Sequence, residues 1–175
     1  SEFTKWFVMD YIFGAEGKIK NIEQFLKEIN EFSKENKCMI QMFDADLIYS
    51  KDHLKSSIKH AKRAFKNNTN TCNSLEMEIL LYASGERQLK KAIPKMGVKI
   101  GDARIVFVLI TENEGNKIVS KFVKKFNFVR NDKVLKGSLD TLKKFGIKKT
   151  ELSTVKEVKY CDLILEKIAM VDIIK

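Results

Sequence analysis

Residues 103–110 read Ala-Arg-Ile-Val-Phe-Val-Leu-Ile, and this stretch decides the fold. All of its residues except Arg104 are apolar, and several are β-branched. A short apolar run of this kind predicts a β-strand with both faces buried. We therefore expect a sheet that is covered on both sides.

Elements predicted on either side of this strand complete the fold. Two more strands are expected at 4–13 and 39–43, where apolar and β-branched residues are bounded by polar ones. Helical spacing of apolar residues predicts the helices, which are 21–35, 51–66, 74–83, 86–96, 115–126, 138–145 and 151 to the end. The predicted fold class is α+β (α/β mixed), a small central β-sheet covered by several α-helices in a single compact domain with a long C-terminal helix.

Local signals refine these elements. Gly85 is expected to end the helix before it, and Pro94 to kink its helix or end it early. Gly14 to Lys18 follows a strand and is predicted to be a plain turn. We expect one domain over 4–175, with a boundary near Gly137 or Gly146 as the alternative. Ser1-Glu2-Phe3 is expected to be a cloning scar.

The composition is basic. The chain has 175 residues, 44% of them hydrophobic, and a formal net charge of +10. Such a charge raises the local concentration of polyanions, so nucleic acid is the first candidate partner and an anionic membrane the second. Simple solubility of a lysine-rich surface is the third explanation.

The cysteines and the hydropathy bear on the compartment. The three cysteines, Cys38, Cys72 and Cys161, are odd in number and widely spaced, which favours a reducing, cytoplasmic location over a disulfide framework or a zinc site. No secretory signal and no apolar run long enough to span a bilayer is visible. No membrane-spanning segment is therefore predicted, and a membrane is not among the expected partners.

A search for catalytic residues is negative. His53 and His60 lie two helical turns apart beside lysines, without the acidic or thiolate neighbours that a metal needs. Gly14 to Lys18 lacks the spacing of a phosphate loop. Asp44 and Asp46 follow a strand, where aspartates ordinarily shape turns. We predict no catalytic residue, no metal, no cofactor and no small-molecule substrate.

Two basic groups flank a polar connection. On the helix 51–66, Lys55, Lys59, Lys62 and Lys66 form one stripe with Arg63 beside it. The second group is Arg87, Lys90, Lys91 and Lys95, and the polar residues 67–74 lie between the two. Such a groove would suit a single-stranded RNA end, with cations on phosphates and amides or hydroxyls on bases and ribose. The alternative is that each stripe is a solvated face.

One long run carries a family resemblance. Residues 70–88, Asn-Thr-Cys-Asn-Ser-Leu-Glu-Met-Glu-Ile-Leu-Leu-Tyr-Ala-Ser-Gly-Glu-Arg-Gln, resemble the signature of the TPRKB-type family, the small KEOPS-complex subunits that bind the p53-related kinase. Three shorter segments agree with that family, in an archaeal-like form: Phe43 to Ile48, Lys51 to Leu54 and Ile164 to Ala169. The likeness covers nearly the whole chain from about residue 5.

The resemblance implies a function that composition does not supply. KEOPS installs threonylcarbamoyladenosine in tRNA, next to the anticodon. The family's member is a non-catalytic subunit that binds the atypical kinase/ATPase subunit, and through it the rest of the complex. It also grips the 3′ CCA tail of tRNA, whereas transfer chemistry belongs to a separate metal-dependent subunit. A protein-interaction regulator of the kinase, with only incidental RNA binding, is the alternative.

The predicted tRNA-binding residues follow from the matching run and from the basic stripe. Polar contacts to the tail are expected from Asn73, Ser74, Glu78, Arg87 and Gln88, with Leu75 packing on a terminal base. Phosphate contacts are expected from Lys59, Lys62 and Arg63, on the ground of charge and position.

The C-terminal helix supplies the predicted partner interface. Its apolar residues point in nearly every direction, so it must be covered on all sides. The expected interface residues are Leu163, Ile164, Ile168 and Val171. A central core helix is the alternative explanation.

Overall fold

A computed structural model describes residues 9–175 and shows a mixed α+β fold with a four-stranded antiparallel sheet. The strands are β1 (Met9–Ile19), β2 (Cys38–Asp44), β3 (Gly101–Thr111) and β4 (Val129–Arg130). The helices are α1 (Ile22–Glu35), α2 (Lys51–Lys66), α3 (Leu75–Ser84), α4 (Leu89–Met96), α5 (Gly115–Lys125), α6 (Leu139–Phe145), α7 (Lys149–Leu152) and α8 (Tyr160–Ile174). Short 3₁₀ turns occur at Ala45–Leu47, Asp132–Leu135 and Glu157–Lys159. The predicted fold class is confirmed.

The described chain divides into two compact units. The sheet unit contains residues up to Ala45 and Val98–Val134, and the helical unit contains Asp46–Gly97 and Leu135–Lys175. The single-domain organisation over 4–175 stays a prediction. Residues 1–3, the expected scar, and the first part of the predicted strand 4–13 lie outside the described residues.

The sheet unit is built around β3. The strand order is β2-β3-β1-β4, so β3 is central, and side chains on both of its faces are buried from Ile105 to Ile110. The prediction of a strand with both faces buried at 103–110 is therefore confirmed. Phenylalanines from the sheet, α1 and α5 fill the core of this unit, with Phe107 and Phe122 at 4.8 Å between ring centroids.

The turn predicted at Gly14–Lys18 is wrong, because β1 runs straight through it to Ile19. The two glycines make room for the chain that follows α5. A side chain at Gly17 would overlap the ring of Phe128, and one at Gly14 would meet the carbonyl of Asn131 at 2.5 Å. Glycine within a strand commonly marks such a close approach of another segment.

The helical unit follows the predictions more closely. Gly85 ends α3 in the left-handed conformation at φ 67°, as expected of a glycine stop. Helix α4 contains Pro94 and ends two residues later. The predicted helix from Glu151 to the end is interrupted, because Ser153 and Thr154 turn their hydroxyls back onto carbonyls of α7. The long C-terminal helix therefore begins at Tyr160.

Candidate functional site

Helix α2 presents one apolar and one basic side. It begins at Ser50, whose hydroxyl accepts the backbone N–H of His53 at 3.3 Å. Its apolar stripe, which includes Leu54, Ile58 and Ala61, is buried. Helical periodicity therefore places most of its basic side chains toward solvent, and Lys59 and Arg63 are exposed.

The connection from α2 to α3 is organised by Glu78. This side chain is fully buried, and its carboxylate accepts the backbone N–H groups of Thr71 and Cys72, the latter at 2.8 Å. Its Oε1 also pairs with Nζ of Lys175 at 2.6 Å. Burial alone would raise the pKa of Glu78, but these hydrogen bonds outweigh it and hold that pKa below its ordinary value.

The prediction that Glu78 contacts the RNA tail needs correction. Its carboxylate is 0% exposed and is used inside the protein, where it fixes the connection and the end of the chain. Buried charges persist when they are paired and hydrogen-bonded, as here. Glu78 therefore stabilises the connection between α2 and α3 from inside the protein and is not available to a ligand.

A second carboxylate lies close by at the end of α8. Asp172 Oδ2 accepts from Arg63 at 2.7 Å and contacts Nδ1 of His60 at 2.8 Å, while Oδ1 accepts the hydroxyl of Tyr82. Partial burial works to raise the pKa of Asp172, but the bonds from Tyr82, His60 and Arg63 lower it overall. The group therefore remains an anion and ties α8 to α2 and α3.

Asp172, Arg63 and Lys175 help to line a cleft of about 360 Å³ in the helical unit. We call it the polar cleft and define it by its lining residues, which are Arg63, Ala64, Asn67, Thr69, Thr71, Asp172 and Lys175. Its volume lies within the range of about 300–1,000 Å³ that is typical of small-ligand sites. Amides, hydroxyls and paired ions line it, so it can hydrogen-bond a polar group in many directions.

The structure brings together only some of the predicted tRNA-binding residues. Lys59, Lys62 and Arg63 share α2, but of these only Arg63 lines the polar cleft. Asn73 is exposed just before α3, and Ser74 and Leu75 are half-buried at its start.

Arg87 and Gln88 are also exposed, but they follow the opposite end of α3. A ten-residue helix is about 15 Å long. Asn73 and Arg87 therefore belong to two ends of one surface and not to one pocket.

The predicted partner residues of the C-terminal helix also need correction. Leu163, Ile164, Ile168 and Val171 are all buried, the last three at 0% exposed. They lie on the side of α8 that packs against the other helices of its unit, so the alternative of a core helix holds for this side. The apolar residues that α8 exposes are different ones, namely Met170, Ile173 and Ile174.

The two histidines of α2 have different surroundings. His60 belongs to the Asp172 cluster, whereas His53 is fully buried. Nδ1 of His53 accepts the backbone N–H of Tyr49 at 3.2 Å, so Nε2 donates to the carbonyl of Ala83 at 2.8 Å. Both ring nitrogens are thus used by the backbone, and burial lowers the pKa of His53 to about 4.

This buried histidine predicts a pH dependence of stability. Its folded pKa of about 4 lies below the unfolded value of 6.5. The stabilisation is therefore complete above pH 6.5 and is lost as the pH falls toward 4, because only the unfolded chain takes up the proton. We expect a loss of about 3 kcal/mol across this window.

Urea denaturation at several pH values measures this loss. In His53→Gln, which replaces the imidazole by an amide that does not titrate, the slope between pH 6.5 and 4 should largely disappear. An unchanged slope in that variant would assign the pH dependence to other groups.

The cysteines form no disulfide in this structure. All three cysteines are free, and burial raises the pKa of Cys72 to about 12 and of Cys38 to about 11. Within residues 9–175, no cluster of three or more histidine, cysteine or acidic residues is arranged to hold a metal ion. Among the described helices, none combines the length and the apolar character needed to cross a bilayer.

Sequence reasoning missed Asp172 and Lys175 as parts of the site. Asp172 lies among apolar residues in the last turn of α8 and Lys175 directly follows that helix, which is a weak signal. Their partners Arg63 and Glu78 are 109 and 97 residues away in the sequence. No local pattern could have linked them.

The chain was compared with known proteins. The model of the family described as "Kinase binding protein CGI-121" matches residues 17–172. No curated protein matches the chain. The family match includes most of the sheet unit, most of the helical unit and every residue that lines the polar cleft except Lys175.

Proposed function

The chain belongs to the CGI-121 family of kinase-binding proteins, and we propose that it is the non-catalytic tRNA-binding subunit of a KEOPS complex. In that role it binds the atypical kinase/ATPase subunit and grips the 3′ CCA tail of tRNA, which supports threonylcarbamoyladenosine modification. The transfer chemistry belongs to another subunit. A cytoplasmic location is part of the proposal, and the three free cysteines are consistent with it.

One observation carries the RNA part of this proposal, namely the polar cleft beside the exposed basic side of α2. A single-stranded RNA end needs cations for its phosphates and hydrogen-bonding groups for its bases and ribose. Lys59 supplies an exposed cation on α2, and Asn67, Thr69 and Thr71 supply amide and hydroxyl groups at the cleft. Leu75, half-buried at the start of α3, offers an apolar surface for a base.

We expect intact tRNA to bind at least roughly tenfold more tightly than the same tRNA without its terminal CCA. Three unpaired bases are removed, and contacts to a single stacked base are worth about 1–3 kcal/mol. The measurement is a fluorescence titration of both RNAs at one fixed, near-physiological salt concentration.

Equal and strongly salt-dependent binding of the two RNAs would contradict the proposed grip on the tail. Binding of the purified kinase subunit is titrated separately. A failure on the RNA side then leaves the kinase-binding part of the proposal intact.

Charge reversal at Lys59 should weaken binding of all tRNAs alike. If Lys59 neutralises one phosphate of a single strand, Lys59→Glu should reduce the slope of log K against log salt concentration by about 0.7. Lys59 is a better test than Arg63, because a substitution of Arg63 would also break its ion pair with Asp172. Lys143→Glu on α6 is the matched control, since it reverses an exposed lysine outside the predicted surface. A slope that changes equally in both variants would remove Lys59 from the interface.

A second candidate function is a regulator of the kinase for which RNA binding is incidental. The observation that favours it is the exposed apolar side of α8, where Ile173 is 75% exposed and Met170 is 43% exposed. Exposed apolar residues of this kind are typical of protein interfaces. The tRNA titration separates the two functions, because a regulator of this kind would not distinguish intact from trimmed tRNA.

A further inference from the structure

The charges in and beneath the polar cleft are balanced in pairs, although the whole chain carries a net charge of +10. Arg63 is bound to Asp172 at 2.7 Å, and Lys175 is bound to Glu78 at 2.6 Å. Each cation that lines the cleft thus already has its own carboxylate within contact distance. Both cations therefore already have a counter-ion within the protein.

The other polar groups that line the cleft are neutral. Asn67, Thr69 and Thr71 are exposed and carry an amide and two hydroxyls, which both donate and accept hydrogen bonds. Two exposed cations elsewhere on α2 form no ion pair with another described residue. Lys59 and Lys66 are exposed there but are not among the lining residues. Cleft and basic surface are therefore chemically distinct parts of one unit.

From this distribution of charge we infer that the polar cleft receives an RNA terminus with free ribose hydroxyls and rejects one that ends in a phosphate, and that Asp172 is the residue that decides between them. The inference rests on the proposed function, since it assumes that single-stranded RNA is the ligand. It specifies which chemical form of the RNA end the site accepts.

The physical reason is the position of the Asp172 carboxylate. A terminal phosphate carries a charge of about −1.5 to −2. In the cleft it would lie close to that carboxylate, and it could pair with Arg63 only by separating Arg63 from Asp172, so both effects oppose its entry. A ribose hydroxyl is uncharged and donates a hydrogen bond, and a carboxylate accepts more than one. Among the described residues, Oδ1 of Asp172 accepts a hydrogen bond from Tyr82 alone, and a carboxylate oxygen can accept a second donor.

The wild-type protein tests the inference directly. Two RNAs of identical sequence ending in CCA are titrated, one with a free 3′ hydroxyl and one with a 3′ phosphate. We expect the phosphate-terminated RNA to bind roughly tenfold more weakly, the size of effect that about one close like-charge contact produces at a protein surface. Equal binding, or tighter binding of the phosphate-terminated RNA, would overturn the inference.

Two variants then assign the selectivity to a residue. Asp172→Asn removes the charge and keeps an oxygen for Arg63, His60 or Tyr82, so the ratio of the two affinities should fall toward one. Asp162→Asn, at an exposed position of the same helix, removes an equal charge and should leave the ratio unchanged. If folded Asp172→Asn shows the same ratio of affinities for the two RNAs as the wild-type protein, Asp172 does not cause the selectivity. The assignment to Asp172 would then be wrong.

The outcomes also separate this inference from the proposed function. If the wild-type protein binds neither RNA, the proposed tRNA binding fails. If it binds both equally, tRNA binding stands and only the inferred selectivity fails. Thermal unfolding of Asp172→Asn shows whether the variant is folded. If it is unfolded, the ratio of the wild-type affinities for the two RNAs still tests whether the protein rejects a terminal phosphate.

Discussion

Replacing Glu78 by alanine is expected to lower the free energy of unfolding by about 3–5 kcal/mol, the cost of removing one partner from a buried ion pair. Glu78 is 0% exposed, and Lys175, its partner at 2.6 Å, is 6% exposed at its side chain. The substitution leaves that ammonium group without a counter-charge. It also removes the acceptor for the backbone N–H groups of Thr71 and Cys72.

Urea denaturation at pH 7 measures this change. Glu166→Ala is the matched control, because Glu166 lies exposed on α8 and surface substitutions usually change stability by no more than about 0.5 kcal/mol. A loss below 1 kcal/mol in Glu78→Ala would mean that the buried pair does not fix the connection between α2 and α3. The outline of the polar cleft would then need another explanation.

Replacing Phe122 by alanine is expected to cost about 3–5 kcal/mol, the usual range for removing a buried phenylalanine side chain. Phe122 is 0% exposed, and its ring lies 4.7 Å from that of Phe126 and 4.8 Å from that of Phe107. It joins α5 to the central strand of the sheet. The cavity left behind would open the centre of the aromatic core of the sheet unit.

The same denaturation measurement serves for Phe122→Ala. Leu26→Ala on α1 is the control, since Leu26 is 48% exposed and should contribute little. Comparable small losses in the two variants would show that the core tolerates the cavity by collapsing around it.

Together the two variants test the domain organisation. Glu78 lies in the helical unit and Phe122 in the sheet unit. If the chain is one cooperative domain, as the sequence predicts, each substitution shifts a single common transition. If the units unfold independently, each variant shifts its own transition and leaves the other in place.

The sequence predicted most of the fold, because its signals are local. The strand at 103–110, the helix at 51–66 and the glycine stop at Gly85 each depend on residues within a few positions of one another. The wrong turn at Gly14–Lys18 has the opposite cause. Its glycines serve Phe128 and Asn131, more than a hundred residues later, and in isolation they look like ordinary turn residues.

The site was predicted less completely than the fold. Sequence alone placed a basic stripe on α2 and a polar connection after it, and both contribute to the polar cleft. It could not tell that Glu78 faces inward, because a glutamate in the first turn of a helix is favourable there whether its side chain is buried or exposed. Nor could it tell which side of the all-round apolar α8 is covered within its own unit.

What the sequence determined by itself is most of the helices and strands, the family and the excess of positive charge, because periodicity, motif and composition need no knowledge of long-range contacts. The tertiary structure decided how that charge is used. It pairs Arg63 with Asp172 and Lys175 with Glu78 across about a hundred residues of chain, and so leaves a neutral polar cleft beside a basic helix. Pairings of this kind arise only when helices pack, since electrostatic attraction depends on distance in space and not on distance along the chain.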